Sequence, residues 1–237
     1  MTTNWKDLLL GGFNDPAPAP LASTRHLWRF ILIATGIAIA MLLQARGSSP
    51  APVASRVPLY FVLIAVELIL VWFVAIGVRA RGHKLLDVAG RRWRSLSDGL
   101  IDISFAIGTA ALLRFVVSPC LIQLIGRWSS NTGFLLPKTT MESLTWILVS
   151  ASAGVCEELV YRGYLQRQLW SLTSSLPLAL LLQAMIFGAG HIYQGWKPAL
   201  VTAVYGLIFG LVAAWRRSIR PGALAHALVD ILGGLRT

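Results

Sequence analysis

Long apolar stretches separated by short polar segments are the dominant pattern of this chain. A helix of about 20 apolar residues crosses ~30 Å of hydrocarbon at a rise of ~1.5 Å per residue. Most of the stretches approach or exceed that length, which predicts an all-α fold, a polytopic transmembrane helical bundle with about seven to eight membrane helices. Seven spans are predicted, at residues 27–44, 57–78, 100–125, 141–161, 177–191, 198–215 and 221–235.

The composition agrees with a membrane protein. Of the 237 residues, 56% are hydrophobic and 13% are charged, with a mean hydropathy of +0.67, whereas soluble proteins carry about 25% charged residues. The net charge of +11 would suggest nucleic-acid binding in a soluble protein, but here the basic residues lie in loops between apolar stretches. That distribution is produced by membrane topology. We therefore expect the lipid bilayer as the environment and no nucleic-acid partner.

The basic residues are divided unevenly between the two sides of the predicted bundle. With the N-terminus inside, 14 of the 21 Lys and Arg residues lie in inner segments and six in outer segments. Since cytoplasmic loops carry an excess of Lys and Arg, we predict a multi-pass protein with a cytoplasmic N-terminus. The two cysteines, Cys120 and Cys156, match neither a metal nor a disulfide spacing. This cysteine usage fits a prokaryotic inner (cytoplasmic) membrane.

We divide the chain into three segments. Residues 1–26 are predicted to be cytoplasmic or interfacial rather than a signal peptide, because their apolar run is short, contains charges and precedes a Pro/Ala linker. Residues 27–140 hold the N-terminal transmembrane helices. They include a basic loop at 79–98, which we expect to lie on anionic headgroups, with a partner-binding surface as the alternative. Residues 141–237 form the transmembrane core that carries the candidate catalytic groups.

Two adjacent carboxylates and an arginine lie on the fourth predicted span. A carboxylate in the bilayer interior costs roughly 3 kcal/mol on insertion scales, so Glu157 and Glu158 are candidate functional residues. Arg162 follows Glu158 by four positions, a spacing at which two helical side chains can pair. Glu157 points ~100° away around the helix. The pattern therefore predicts one neutralised acid and one acid that is free for chemistry.

Polar residues on two further spans complete this set. His191 ends the fifth span, and His226 and Asp230 lie four residues apart on the seventh. That spacing places both side chains on one helix face, where Asp230 can accept a proton from one imidazole nitrogen and fix the tautomer of the other. A lone histidine on an apolar helix is usually a core residue. Two histidines and three acids on three spans indicate a functional site.

Such a set can hydrolyse an amide bond in two ways. A carboxylate and an imidazole can activate water by general base catalysis. Alternatively, Glu157, His191 and His226 can hold zinc, whose bound water is the nucleophile. The sequence contains no His-Glu-x-x-His, no Gly-x-Gly-Asp and no Gly-x-Ser-Gly motif, which disfavours other intramembrane protease chemistries. A proton-coupled transporter is disfavoured because no interrupted helix repeat is visible.

The order of these motifs resembles the CPBP family, which comprises CAAX proteases and bacteriocin-processing enzymes. This family is also called the Abi or type II CAAX prenyl endopeptidase-like family. Its first motif is Glu-Glu-x-x-x-Arg, found here from Glu157 to Arg162 and followed by Gly-Tyr-Leu. The second is Phe-x-x-x-His, ending at His191, and the third is His-x-x-x-Asn/Asp, from His226 to Asp230. The resemblance covers about residues 144–235.

The resemblance implies an intramembrane endopeptidase that cleaves a membrane-anchored peptide or protein. It implies glutamate-type catalysis with no bound cofactor, and a zinc metalloprotease as the second choice. Glu157 would activate water together with His191, while Glu158 and Arg162 would hold the geometry and charge of the site. A catalytically silent membrane scaffold or immunity protein with the same fold is the alternative function.

The resemblance further implies that His226 and Asp230 steady the oxyanion. The prenyl-protein branch of the family typically has Asn where this chain has Asp230. An ionised Asp cannot donate a hydrogen bond to an oxyanion. Either Asp230 orients His226, which then acts alone, or Asp230 is itself protonated in the cavity.

Two further expectations concern the depth of Glu157 and His191 in the membrane and the other charged residues within predicted spans. The predicted spans place Glu157 near the inner end of the fourth helix and His191 near the outer end of the fifth. The two can meet only if the fourth helix continues well past residue 161 or the fifth begins outside the membrane, and we expect both. For Glu67 and Arg114, on the second and third spans, we expect a mutual ion pair or a polar cavity contact, with a place in the substrate path as the alternative.

Overall fold

The computed structural model describes residues 11–47 and 55–235, and within these ranges the chain is helical, without a β-sheet. Most of the predicted N-terminal interfacial segment, residues 1–10, lies outside the described residues, as do residues 48–54 and 236–237. The long helices are α1 (Thr24–Gly47), α2 (Val57–Arg79), α3 (Leu96–Ile125), α4 (Thr140–Thr173), α5 (Leu176–Gly190), α6 (Trp196–Arg216) and α7 (Arg220–Gly234).

Each predicted span coincides with one of these helices, which confirms the all-α bundle. Among the described residues, five helices are long and apolar enough to cross a membrane, namely α1, α2, α3, α4 and α6. The helices α5 and α7 have 15 residues each. At ~1.5 Å per residue they are ~22 Å long, shorter than the ~30 Å hydrocarbon core. The protein is therefore a multi-pass membrane protein in which two helices are shorter than a full span.

The fourth helix is longer than the predicted membrane span 141–161. It ends at Thr173 and contains 34 residues, so the helix continues past residue 161 as expected. Glu157 consequently lies near the middle of α4 rather than near its inner end. The segment Glu158–Gln166 is π-helical and almost entirely buried, a conformation that often occurs at functional sites. The continuation of α4 that would let Glu157 approach His191 is confirmed.

Local sequence signals explain where the helices around the site begin and end. The hydroxyls of Thr139 and Ser175 accept hydrogen bonds from backbone N–H groups in the first turns of α4 and α5. A proline lies in the first turn of both α5 and α7. Backbone N–H groups there have no hydrogen-bond partner within the helix, so the N–H that proline lacks is not needed. Ser174 and Arg217, both in the left-handed conformation, end α4 and α6. Tight reversals therefore make α4–α5 and α6–α7 antiparallel neighbours.

Buried ion pairs connect the helices at the two ends of the bundle. At one end, Arg56 Nη1 lies 3.6 Å from Glu142 Oε2, which joins the start of α2 to the start of α4. At the other end, Arg216 Nη2 lies 2.9 Å from Asp102 Oδ1, which joins α6 to α3. Removing one partner of such a pair leaves the other charge without compensation. These contacts fix the depth of α4 and α6 relative to their neighbours.

Part of the basic loop 79–98 packs on the bundle. The Arg91 amide donates to the Arg217 carbonyl oxygen at 2.7 Å, and the Ile219 amide donates to the Ala89 carbonyl oxygen at 3.2 Å. These bonds join the loop to the turn between α6 and α7. The contact of this loop with anionic headgroups stays a prediction.

The helices α4 and α7 approach closely at Gly154. A β-carbon there would lie 2.6 Å from the Ala223 carbonyl oxygen and 2.9 Å from Ala227 Cβ. We expect Gly154→Ala to lower the free energy of unfolding by about 1–3 kcal/mol, because the two helices must move apart. Thermal unfolding of the purified protein in detergent measures this change.

The matched control is Gly108→Ala on α3, where a β-carbon would meet nothing within 4 Å. Alanine has the higher helix propensity, so this variant should unfold at the wild-type temperature or above it. Equal melting temperatures for Gly154→Ala and the wild type would contradict the close approach of α4 and α7.

Candidate active site

An ion pair is buried at the centre of α4. Glu158 Oε1 and Arg162 Nη1 lie 2.7 Å apart, and both side chains are 0% exposed, as the four-residue spacing predicted. The guanidinium also lies over the rings of Phe187 and Phe209, with Cζ 4.1 and 5.4 Å from their centroids. Aromatic faces stabilise a cation where water is excluded. Arg162 is therefore held by a carboxylate and by two aromatic rings.

Two glycines on neighbouring helices, which have no side chain, make room for this ion pair. A β-carbon at Gly206 of α6 would lie 2.9 Å from the Phe187 ring and 3.1 Å from Arg162 Nη2. A β-carbon at Gly222 of α7 would lie 2.9 Å from Glu158 Oε2. Any larger residue at these two positions would displace the charged groups. The pair is covered closely by backbone because α6 and α7 carry glycine there.

The ring of His226 connects the buried pair to the other acids. Its Nδ1 donates to Glu158 Oε1 at 3.2 Å. Its Nε2 lies 3.7 Å from Glu157 Oε2 and 3.5 Å from Asp230 Oδ2. The contact with Asp230 across one helical turn was predicted. The contact with Glu158 was not, because a pairing between separate helices leaves no spacing signal in the sequence.

Glu157 and His191 have different surroundings from the buried pair. The Glu157 side chain is 23% exposed, whereas that of Glu158 is fully buried, so the two adjacent acids are separated as the helical rotation predicted. His191 Nδ1 lies 2.9 Å from the Phe187 carbonyl oxygen. A carbonyl oxygen only accepts, so Nδ1 carries the proton and Nε2 of the neutral ring can accept a hydrogen bond.

A cavity of about 490 Å³ brings most of the predicted site residues together. Glu157, His191, His226 and Asp230 line it, and Glu158 and Arg162 lie behind His226, outside the lining. The cavity also reaches the segment between α3 and α4 and the turn between α5 and α6.

Glu67 of α2 lines the same cavity. It was not among the six predicted site residues, although an acid within a membrane span is a signal of a functional position. Of the two expected environments for Glu67, the polar cavity contact is confirmed and the ion pair with Arg114 is wrong. Arg114 is exposed, and its Cζ lies 6.0 Å from the Phe115 centroid.

A second, apolar cavity of about 190 Å³ adjoins the first. It lies between α1, α2 and α4 and is lined largely by aliphatic side chains such as Val62 and Val66. Glu67, Glu157 and His191 line both cavities. These three polar groups therefore lie where an apolar groove meets a polar cavity.

The residues proposed for zinc are not arranged as a metal site. Within the part of the chain that the structure describes, no group of three or more His, Cys, Asp or Glu side chains is placed to hold a metal ion. The suggested ligands are Glu157, His191 and His226. Nε2 of His226 faces two carboxylates, because both Glu157 and Asp230 lie within 4 Å of it. These positions do not fit a zinc centre.

Removing Arg162 would leave the Glu158 carboxylate buried without a counter-charge. We expect Arg162→Met to lower the free energy of unfolding by about 3–5 kcal/mol, measured by thermal unfolding in detergent. The double variant Glu158→Gln/Arg162→Met removes both charges and should recover part of that loss.

Asp15→Asn is the control for this prediction, since it removes one partner of a more exposed ion pair. Asp15 Oδ2 lies 2.7 Å from Arg217 Nε, with side chains 37% and 40% exposed. The hydrogen bond from Arg217 lowers the pKa of the Asp15 carboxyl, but exposed pairs contribute only ~0–1 kcal/mol. A loss from Arg162→Met no larger than that from Asp15→Asn would contradict the role of the buried pair.

Comparison with known proteins identifies the part of the chain that carries this site. Residues 139–232 match the family described as type II CAAX prenyl endopeptidase Rce1-like, and no curated protein or solved structure matches the chain. The matched segment extends from the start of α4 into α7, so it contains all six predicted site residues but not Glu67. The match agrees with the family that the motifs resemble: this is a multi-pass membrane protein whose residues 139–232 are similar to the Rce1-like type II CAAX prenyl endopeptidases.

Proposed function

We propose that this protein is an intramembrane endopeptidase that cleaves a membrane-anchored peptide or protein with a water molecule activated by Glu157 and His191. The observation that carries the proposal is the shared cavity, into which both side chains are brought from different helices. The apolar cavity beside it supports a substrate that is anchored in the bilayer. The family match supports peptide hydrolysis as the reaction.

In this proposal Glu157 is the general base. Its neighbour Glu158 is engaged with Arg162 at 2.7 Å, whereas Glu157 is partly exposed in the cavity. A water molecule donates one hydrogen bond to Glu157 and one to Nε2 of His191, which is available because Nδ1 donates to a backbone carbonyl. Glu157 takes a proton as the water oxygen attacks the scissile carbonyl. The same proton then passes to the leaving amine.

The oxyanion formed by that attack needs a hydrogen-bond donor. We assign this role to the imidazolium form of His226. Nδ1 donates to Glu158, so Nε2, which lies beside Glu157 and Asp230 on the cavity side, can donate as well only when both ring nitrogens are protonated. The bond from Nδ1 to Glu158 fixes the ring, so the donor is oriented before the substrate binds. Preorganised donors of this kind contribute about 2.7–4 kcal/mol of transition-state stabilisation each.

The proposed orientation of the protein in the membrane follows from the distribution of its basic residues. With a cytoplasmic N-terminus, the segment between α3 and α4 and the turn between α5 and α6 lie on the outer side. Both segments contribute to the lining of the cavity. We therefore propose that the polar cavity opens towards the outer side of a prokaryotic cytoplasmic membrane, with no metal cofactor.

Substitution of Glu157 or His191 tests the proposed reaction. We expect Glu157→Gln and His191→Ala to lower the cleavage rate by at least about 10²-fold, because each removes a group that activates water. The assay is cleavage of a panel of membrane-anchored peptides by the purified protein in nanodiscs, followed by mass spectrometry. Cleavage by the wild type should persist with a zinc chelator.

Asp98→Asn is the matched control, since Asp98 is a carboxylate at the start of α3 that bonds to the Arg94 amide, outside the cavity. It should retain the wild-type rate. Cleavage by Glu157→Gln at the wild-type rate would show that the base is misassigned. If the wild type cuts nothing and Glu157→Gln still supports the cellular phenotype, the scaffold function is correct instead.

Substitution of Asp230 tests the two roles that the sequence leaves open. We expect Asp230→Asn to keep the cleavage rate within about tenfold of the wild type, because the amide keeps the shape and can donate to the oxyanion. Asp230→Leu should lower the rate by about 10²–10³-fold. Equal losses in both variants would instead favour an ionised Asp230 whose role is to orient His226.

A further inference from the structure

Glu67 is a carboxylate at the junction of the two cavities. It lies on α2, outside the segment that matches the protease family. It lines both the polar cavity and the apolar groove. If a substrate places its apolar anchor in the groove and its scissile bond in the polar cavity, a group in this position contacts the substrate residues between the two.

The carboxyl of Glu67 is incompletely satisfied within the protein. It bonds to the Ser152 hydroxyl, while its Oε2 is buried and has no hydrogen-bond partner among the described residues. No ion pair of Glu67 is found within those residues, and Arg114, the partner that the sequence suggested, is exposed on α3. A buried acceptor without a partner is costly, so an entering cation or donor would gain affinity from it.

The charge of the cavity lining also favours a cationic ligand. Its lining contains three carboxylates, Glu67, Glu157 and Asp230, and two imidazoles, His191 and His226. Among the described lining residues there is no Lys or Arg. Such a lining attracts a cationic group of a substrate and repels a carboxylate.

We propose that Glu67 is a specificity-determining residue, which selects substrates with a Lys or Arg side chain next to their apolar membrane anchor. The same cavity disfavours substrates with an acidic side chain at that position. This inference rests on the proposed function and names the substrate class of the same site. Glu67 takes no part in bond cleavage and acts by pairing with the cationic side chain.

Binding of designed peptides tests the inference independently of cleavage. The probes are dye-labelled, C-terminally amidated peptides with one apolar anchor of Leu and Ala residues and a short Gly/Ser segment. Next to the anchor they carry Lys, norleucine or Glu. Fluorescence anisotropy with the full-length protein in nanodiscs gives the dissociation constants, and the same samples are analysed for cleavage products.

We expect the wild type to bind the Lys peptide about tenfold more tightly than the norleucine peptide, and the Glu peptide more weakly than either. Glu67→Gln should reduce the Lys-over-norleucine preference to within about threefold while leaving norleucine binding unchanged. Glu67→Asp keeps the charge and should keep a preference. Asp15→Asn, a carboxylate removed at the other end of the bundle, should leave all three constants unchanged.

Equal binding of the three peptides by the wild type would overturn the inference. A Lys preference that persists in Glu67→Gln would overturn the assignment to Glu67. Peptides that bind with the expected preference but are not cleaved contradict the proposed protease function while this inference stands. Peptides that are cleaved at equal rates and bound without preference contradict only the inference.

Discussion

The structure of the site depends on one buried ion pair, between Glu158 and Arg162. Two charges without access to water are costly unless they are paired, and here the guanidinium meets a carboxylate at 2.7 Å and lies over two aromatic rings. The helices α5, α6 and α7 enclose the pair with Phe187, Phe209 and the glycine at position 222. The pair therefore determines how three helices pack around the middle of α4.

The same pair creates the difference between two adjacent glutamates. One helical rotation of ~100° places Glu158 in the protein interior and Glu157 at the cavity, so identical side chains acquire different tasks. His226 transmits this arrangement, since one ring nitrogen bonds to Glu158 and the other faces Glu157 and Asp230. In the proposed mechanism only the acid that faces the cavity acts as the general base, and the acid that neutralises the arginine positions His226.

The helices and the local pairs could be predicted from the sequence because both depend on short-range periodicity. Apolar stretches gave all seven helices, and spacings of four residues gave the contacts of Glu158 with Arg162 and of His226 with Asp230. The length of α4 could not be read from hydropathy, because its second half is polar yet buried by other helices. The bond between His226 and Glu158 joins distant parts of the chain, and only packing brings them together.

The position of Glu67 shows why a family motif does not describe the whole site. The matched residues 139–232 supply the base, the histidines and the buried pair, but the wall opposite them comes from α1 and α2. Because the apolar groove lies between these two helices and α4, the proposal assigns substrate contact to their side chains and bond cleavage to the matched segment. Glu67, Glu157 and His191 line both cavities, so the two assigned tasks meet at these three residues.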